Sequence, residues 1–521
     1  MLSNMEAYQE LNPPRVVFLA LSLQSQSLPS NAIRPFCEPL LTTSPKFVLS
    51  PIFTAPLYIT ASGRLWHAGL VLIGIVGLPA RGKTHVARSI DRYLRWLGVK
   101  SQVFSLGDHR RKVLGDPHNL PSDYFATDGS RSESTEKLRK TIKESLLKTV
   151  DEFFANGGQV AIYDANNGTR AARQELRQRF EPMGVHSMFI ENVCDRDDII
   201  EKNIRAVKIS SPDYEGWDQD AAMADYWSRI RDHEKTYEPI EQPSFPFVKV
   251  VNIGEKIIVN NISGYLQSRI VFYLMQIHNQ YRTIWFARSG PSRIEHLYKA
   301  DSELSPLGEE YASRLCRYLR KKRREMRSEL ATNNRLTVWT STRRRCIQTS
   351  APMAKVGYKV LMRSQMNEIN PGVIDGMSVA EIKEKYPEEY EKSLTEPYAH
   401  RYPRAESYHD LSVRLEPIIF EVERDRSDLF IIGHASVIRC LFAYLKGLPP
   451  QDIPLIQVRR GQLIEVRPTP YGVDARTHTF WTPADNPILY KFVSDEDAFH
   501  HVPESEQAAD ELNKAIAPLV I

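Results

Sequence analysis

The 521-residue chain is short of cysteine and of long apolar runs, and both shortages narrow what it does. Its five cysteines (Cys37, Cys194, Cys316, Cys346 and Cys440) are widely spaced and form no C-x-x-C pair, so neither a zinc site nor a dithiol redox motif is signalled. A sparse, odd set fits reduced thiols and a cytoplasmic setting. No apolar stretch approaches the length that spans a bilayer, so no membrane partner is expected. Val16–Leu23 is apolar, but the acidic, proline-containing segment before it makes a poor secretory signal. Strong net charge is also missing. Lys+Arg exceed Asp+Glu by 68 − 64 = 4, too little to imply nucleic acid as a partner. The densest basic run, Arg320-Lys321-Lys322-Arg323-Arg324, reads either as a nuclear-localisation patch or as the solvated face of a helix, since Pro306 to Arg327 has few helix breakers. There is no internal repeat.

What is present is a globular composition, 42% hydrophobic and 25% charged, at a length that suggests two to four domains at about 150 residues each. Residues 1–68 are rich in Ser, Pro, Leu and Thr without a sustained period and are expected to form a disordered or loosely attached tail. Regular α/β alternation begins at Leu70. Strand-like runs at Leu70–Val76, Ser101–Leu106, Gln159–Asp164, Ser187–Val193 and Phe247–Val251 are separated by helical patterns such as Glu133–Phe154 and Ala171–Phe180. This pattern predicts a doubly wound parallel sheet. A helix-like stretch from Val259 to His278 closes that half, and a boundary is expected near residue 281. A second alternation follows: strands at Arg282–Ala287, Arg335–Trp339 and Asp428–Gly433, with helices at Arg344–Lys355, Ala405–Arg424 and Ser436–Lys446. The domains are thus expected at 69–281 and 282–480, with a C-terminal tail, 481–521, in which Glu504–Ile521 forms a short helix.

The octapeptide Gly77-Leu78-Pro79-Ala80-Arg81-Gly82-Lys83-Thr84 fits G-x-x-x-x-G-K-[ST]. It follows an apolar run and precedes a helical segment, Thr84–Trp96, which is the setting of a phosphate-binding loop. Gly77 and Gly82 let the backbone wrap a phosphate, and the amides and helix N-terminus face its charge. In such a loop Lys83 reaches the β- and γ-phosphates of ATP and the Thr84 hydroxyl holds magnesium. A magnesium-ordering carboxylate is also needed, and Ala161-Ile162-Tyr163-Asp164 ends an apolar strand in Asp164. Asp164 fits that role and also fits an N-cap of the next helix. Arg110-Arg111 follow the strand that ends at Leu106, where ligands meet a parallel sheet; on composition alone, an anion site and an exposed pair are equally good readings.

Together GLPARGKT, the LGDHRR segment, YDANNGTR and Val207-Lys208-Ile209-Ser210-Ser211-Pro212-Asp213-Tyr214 resemble the 6-phosphofructo-2-kinase/fructose-2,6-bisphosphatase family, and the likeness runs through residues 70 to 470. The resemblance implies two α/β domains: a P-loop kinase with a doubly wound parallel sheet, then a histidine-phosphatase-like (phosphoglycerate-mutase-like) domain. It implies ATP- and magnesium-dependent phosphorylation of fructose 6-phosphate to fructose 2,6-bisphosphate, and a homodimer. It places Lys83 and Asp164 in catalysis, with Thr84 and Asp164 on magnesium. Gly77, Gly82, Asn167 and Lys208 then lie at the nucleotide, and Arg110, Arg111, Arg229 and His233 at the sugar phosphate. The family usually has Tyr at the positions of His109 and His233, and Thr at those of Asn166 and Gly168, which predicts altered sugar affinity with activity retained.

In the second half the resemblance is to a histidine phosphatase, whose nucleophile is a histidine in an Arg-His-Gly turn. This chain reads Arg288-Ser289-Gly290. A serine needs a base to attack, and its phosphate ester is stable where a phosphoramidate is labile. Arg288, Arg345, Glu368, His434 and Arg439 match accessory positions. Pro291, Glu295, Val379, Ser393, Pro397 and Ala435 depart from the family's residues, several of them at bisphosphate-binding positions. The expectation is a kinase with a degenerate phosphatase half that retains an anion site. The alternatives are residual hydrolysis, a kinase for another acceptor, or a non-catalytic regulatory protein that binds nucleotide or sugar phosphate.

Overall fold

The computed structural model describes residues 16–17, 69–115, 120–121, 123–126, 131–210, 218–252, 254–278, 282–295, 297–330, 335–469 and 472–482. Of the expected N-terminal tail, Val16–Val17 (β1) form a short strand. The rest of residues 1–68, including Cys37, lies outside the described residues, as does the helix expected at Glu504–Ile521.

The first half runs through β2 (Leu70–Val76), α1 (Lys83–Trp96), β3 (Ser101–Ser105), α2 (Leu106–Leu114), α3 (Glu133–Ala155), β4 (Val160–Asp164), α4 (Arg170–Phe180), β5 (Val185–Val193), α5 (Asp197–Ser210), α6 (Gln219–Glu234), β6 (Phe247–Val251), β7 (Lys256–Asn260) and α7 (Tyr265–Leu274). The strands form one sheet in the order β1-β7-β6-β5-β2-β4-β3. β2 and β4 are buried along nearly their whole length, as a parallel strand covered by helices on both faces must be. The β2–β4 register pairs Ile75 with Asp164, so the glycine-rich loop and that carboxylate leave the sheet side by side.

The uninterrupted helix expected from Val259 does not form. Lys256–Asn260 is instead a strand, antiparallel to β6, and α7 begins only at Tyr265. The cause is local: Asn252 and Gly254 both take positive φ and turn the chain back on itself, and the β-branched Ile257, Ile258 and Val259 favour a pleated edge. The sheet is therefore mixed at this edge.

The second half runs through β8 (Ile284–Arg288), α8 (Pro306–Leu330), β9 (Leu336–Thr340), α9 (Arg344–Lys355), β10 (Lys359–Met362), α10 (Val379–Lys385), α11 (Pro387–Thr395), α12 (Tyr408–Arg424), β11 (Asp428–Gly433), α13 (Ala435–Lys446), β12 (Gln462–Thr469) and β13 (Gly472–Thr479). Its sheet order is β10-β9-β11-β8-β12-β13, parallel from β10 to β8 and antiparallel beyond. α12 starts at Tyr408 because Ser407 and Asp410 close a capping box there. The basic run on α8 is not a uniformly solvated face. Arg323 is buried and pairs with Asp428 at 2.9 Å, while Lys321 and Lys322 reach Glu325.

The two halves share a core. One apolar cluster runs from β2 and α1 (Val86, Ile90, Leu94) through α7 (Ile270, Leu274) into α12 and α13 (Leu415, Ile419, Leu441, Leu445). Each such side chain contributes about 2 kcal/mol on burial. The P-loop helix α1 thus packs directly on the second half.

Candidate active sites

The front site is built where β2 and β4 end. The loop between Val76 and Lys83 bends through Gly77 (φ 143°) and Gly82 (φ 76°). A Cβ on Gly77 would lie 2.6 Å from the Asn192 carbonyl oxygen, so the backbone there approaches β5 as only glycine permits. Two buried asparagines brace the loop from outside: Asn192 donates to Arg81 O at 3.1 Å and Asn203 to Ala80 O at 2.8 Å. Neither stands in a motif, and only the folded sheet brings them to the loop.

Thr84 Oγ1 donates to Asp164 Oδ2 at 2.8 Å. Burial pushes the Asp164 carboxyl up, against the opposing pull of Thr84 and Lys83. Lys83 donates to Leu78 O at 2.6 Å. Burial lowers its ammonium to about 8, with Asp164 opposing and Arg81 adding to the shift. Asp108 and Arg88 also act electrostatically on Asp164, and Asp108, at the start of α2, was not singled out from the sequence.

The predicted nucleotide residues divide. Asn167 turns its amide to Ile75 O at 2.7 Å and its carbonyl accepts from Arg173, so it locks the β4 turn to β2. Lys208 lies on α5, and its side chain is outside the described residues.

The predicted sugar-phosphate residues divide too. Arg110 is buried, with its guanidinium 5.1 Å from the Phe125 ring centre, and Arg229 of α6 sits 3.8 Å from the same ring. His233, one turn on, lies 3.3 Å from the Asn166 amide. Burial lowers the imidazole to about 4, helped by Lys83, Arg139 and Arg131. Those cations therefore lie within electrostatic range of His233. Arg131 and Arg139, which anchor to Ala126 O and Tyr124 O, come from the stretch between α2 and α3 and from α3 itself. Arg111 is drawn instead to Asp108, which also meets Arg88 at 3.3 Å. Adjacent residues on a helix do not share a face, which is why the arginine pair splits.

The rear site is a cavity of about 220 Å³ at the carboxyl ends of β8 and β11, lined by Arg288, Ser289, Arg345, Glu368, His434 and Arg460. Ser289 N donates to Gly433 O and Gly290 N to Thr349 Oγ1, both at 3.0 Å, which fixes the turn after β8. Arg288 donates to Val458 O at 3.2 Å. Arg345 binds Glu368 and approaches His434 Nδ1 at 3.3 Å. The same Nδ1 faces Glu368 Oε1 at 3.7 Å, and the other ring nitrogen, Nε2, lies 3.0 Å from Ser341 Oγ. The buried Cys346 thiol lies 3.5 Å from the same nitrogen; burial raises its pKa, partly offset by hydrogen bonds with Ser341 and Ser289.

Arg439 is buried behind this wall, donating to Ile456 O at 2.7 Å and to Tyr408 OH at 2.9 Å. Arg460 was missed by the sequence reading. It donates to Ser289 O at 3.2 Å and pairs with Glu295 at 2.8 Å, closing a contact across 171 residues that no local motif announces. Val379, Ser393 and Pro397 line the same cavity.

Comparison with known proteins matches each half of the chain to a family. The 6-phosphofructo-2-kinase family model matches residues 60–281, and that of the histidine phosphatase superfamily (branch 1) matches 284–479. The chain is 37% identical over 408 residues to the fructose-2,6-bisphosphatase of Saccharomyces cerevisiae, covering 77% of this chain and 87% of that protein. It is 36% identical over 407 residues to the 6-phosphofructo-2-kinase/fructose-2,6-bisphosphatase of Aquarana catesbeiana, covering 77% and 83%. To the human 6-phosphofructo-2-kinase/fructose-2,6-bisphosphatase 3 it is 35% identical over 416 residues, covering 78% and 76%.

The chain belongs to the 6-phosphofructo-2-kinase/fructose-2,6-bisphosphatase family.

Membership in the family accounts for the order of the halves, kinase-type before phosphatase-type. Among the described residues no helix is long and apolar enough to cross a membrane.

Proposed function

We propose that the chain phosphorylates fructose 6-phosphate with ATP to give fructose 2,6-bisphosphate, and that its second half no longer hydrolyses that product. The observation that carries the kinase reading is the convergence of Lys83, Thr84 and Asp164 with Arg110, Arg229 and His233 at one end of the first sheet. Thr84 Oγ1 and the Asp164 carboxylate are hard oxygen donors 2.8 Å apart beside the loop, a set that suits magnesium. The chemistry a bound magnesium supplies there is neutralisation of charge on the transferred phosphoryl oxygens.

The chain's own residues do the rest by position and charge. The loop amides hold the phosphates, and Lys83 leaves Leu78 O for them, regaining full charge next to anions. Arg110 and Arg229 hold the sugar's 6-phosphate, and neutral His233 hydrogen-bonds near the acceptor. No covalent intermediate is needed.

Silence of the second half is supported by Ser289 at the nucleophile position, a hydroxyl that needs a base to attack. Arg288, Arg345 and His434 remain suited to holding an anion. Residual hydrolysis is the second reading, favoured by the intact Arg345–Glu368–His434 cluster.

The test is product formation by purified protein with ATP, magnesium and fructose 6-phosphate. Wild-type turnover no higher than that of Lys83→Met would sink the kinase reading. Release of phosphate from 2-labelled bisphosphate faster than by Arg345→Ala would restore the phosphatase.

A further inference from the structure

The P-loop helix α1 is held by a polar seam as well as an apolar one. Arg92 Nη2 meets Glu423 Oε1 of α12 at 2.8 Å, with both side chains largely buried. Tyr444 OH of α13 donates to the same oxygen at 2.5 Å and lies 3.1 Å from Tyr273 OH of α7. Tyr93 stacks on Tyr273 with ring centres 4.4 Å apart and donates to Glu416 at 3.0 Å, which also receives Arg269. Trp96 meets the edge of Tyr444.

The seam reaches the phosphate loop itself. His85 Nε2 donates to His278 O at 3.2 Å, and His278 Nε2 donates to Asp425 O at 2.7 Å. His85 and His278 border a cavity of about 20 Å³ together with Arg81 and Gly82. Glu423 thus faces two buried cations, Arg92 and Arg282, at the far end of the helix that opens with Lys83 and Thr84.

From Lys83 to Arg92 is nine residues, about 13 Å of rigid helix. An α-helix transmits an axial shift along its length with little loss, so whatever sets Arg92 sets Lys83. Placement errors near 1 Å are enough to cost roughly 10²-fold in reactions governed by positioning.

We propose that the second half is a positioning element for the phosphotransfer site: Glu423, through Arg92 and with Tyr444, sets the position of α1 and so of the phosphate-binding loop. Glu423 is a positioning residue, remote from the reacting atoms. The proposal rests on the nucleotide reading of the front site.

The test is calorimetric binding of a non-hydrolysable ATP analogue with magnesium to the full chain, which reads the loop without requiring turnover. Glu423→Gln is expected to raise the dissociation constant about tenfold, and the milder Tyr444→Phe about threefold, within the range that coupled side chains contribute. Glu421→Gln, on the same helix but paired with Arg363 inside the second half, is expected to leave it unchanged. In kinase assays KM for ATP should rise in Glu423→Gln while KM for the sugar phosphate holds. A purely structural role for the seam would lower the binding-competent fraction at an unchanged dissociation constant, and that result overturns the proposal. So does an equal loss in Glu421→Gln. Wild-type protein that binds no analogue removes the nucleotide reading, and the proposal with it.

Discussion

Glu423 is the side chain whose removal should most change how this fold responds to acid. Burial alone would raise its carboxyl, but Arg92 and Arg282, with hydrogen bonds from Tyr444 and Arg92, hold it down at about 2, against an ordinary 4.5. A carboxyl depressed on folding stabilises the native state above its unfolded value and loses that contribution as pH falls toward its folded value. The difference of about 2.5 pH units corresponds to about 3 kcal/mol at pH 7. By pH 3 the same relation leaves about 1.4 kcal/mol, and by pH 2 under half a unit's worth. Glu423→Gln has no such titration and takes from two buried guanidiniums the carboxylate that most strongly offsets their charge, a loss in the range of about 3–5 kcal/mol. Urea unfolding of both proteins at pH 7 and pH 3, followed by tryptophan fluorescence, reads the difference directly. Ionisable groups remote from Glu423 contribute equally to the two proteins and cancel; His85 and His278, which lie near it, are the ones that do not. The gap should shrink by about half or more between the two pH values. A gap that is the same at pH 7 and pH 3 refutes the ion-pair account of the seam.

Three further outcomes follow from the two sites. Gly77→Ala should weaken nucleotide binding by roughly tenfold or more, because its Cβ meets a strand carbonyl at 2.6 Å and strained backbone costs about 1–3 kcal/mol; calorimetry with the ATP analogue checks this. Because His233 in the free enzyme is neutral above about pH 4, His233→Gln should change kcat/KM for the sugar phosphate by one factor at pH 6 and pH 8; a factor that grows at pH 6 would show a protonated imidazole. Ser289→His alone should leave release of 2-labelled phosphate within roughly tenfold of the parent, since Val379, Ser393 and Pro397 still line the cavity and Glu295 still occupies Arg460; robust hydrolysis would mean that those positions were overvalued.

Legibility differed between the sites for physical reasons. The phosphate loop was readable because a glycine-rich turn, a lysine and a hydroxyl must be contiguous to wrap one phosphate. Asp164 was readable because it ends an apolar strand. Arg110 and Arg111 were alike in sequence and opposite in structure, since one residue of helical rotation sends one to the Phe125 ring and the other to Asp108. The helix expected from Val259 starts only at Tyr265, because Val259 and Asn260 end an apolar run whose pattern fits either period, and the positive φ angles at Asn252 and Gly254 turn that run into a hairpin strand.

The sequence by itself determined the linear devices: the order of the two α/β halves, the phosphate loop, and the serine at residue 289. Tertiary structure alone decided what reaches across the chain. It brought Asn192 and Asn203 to the loop, placed Arg460 on the Ser289 carbonyl, and set Glu423 against Arg92 at a separation of 331 residues. Such pairs leave no local pattern, because their partners become neighbours only when the sheets stack their helices and water is driven from between them.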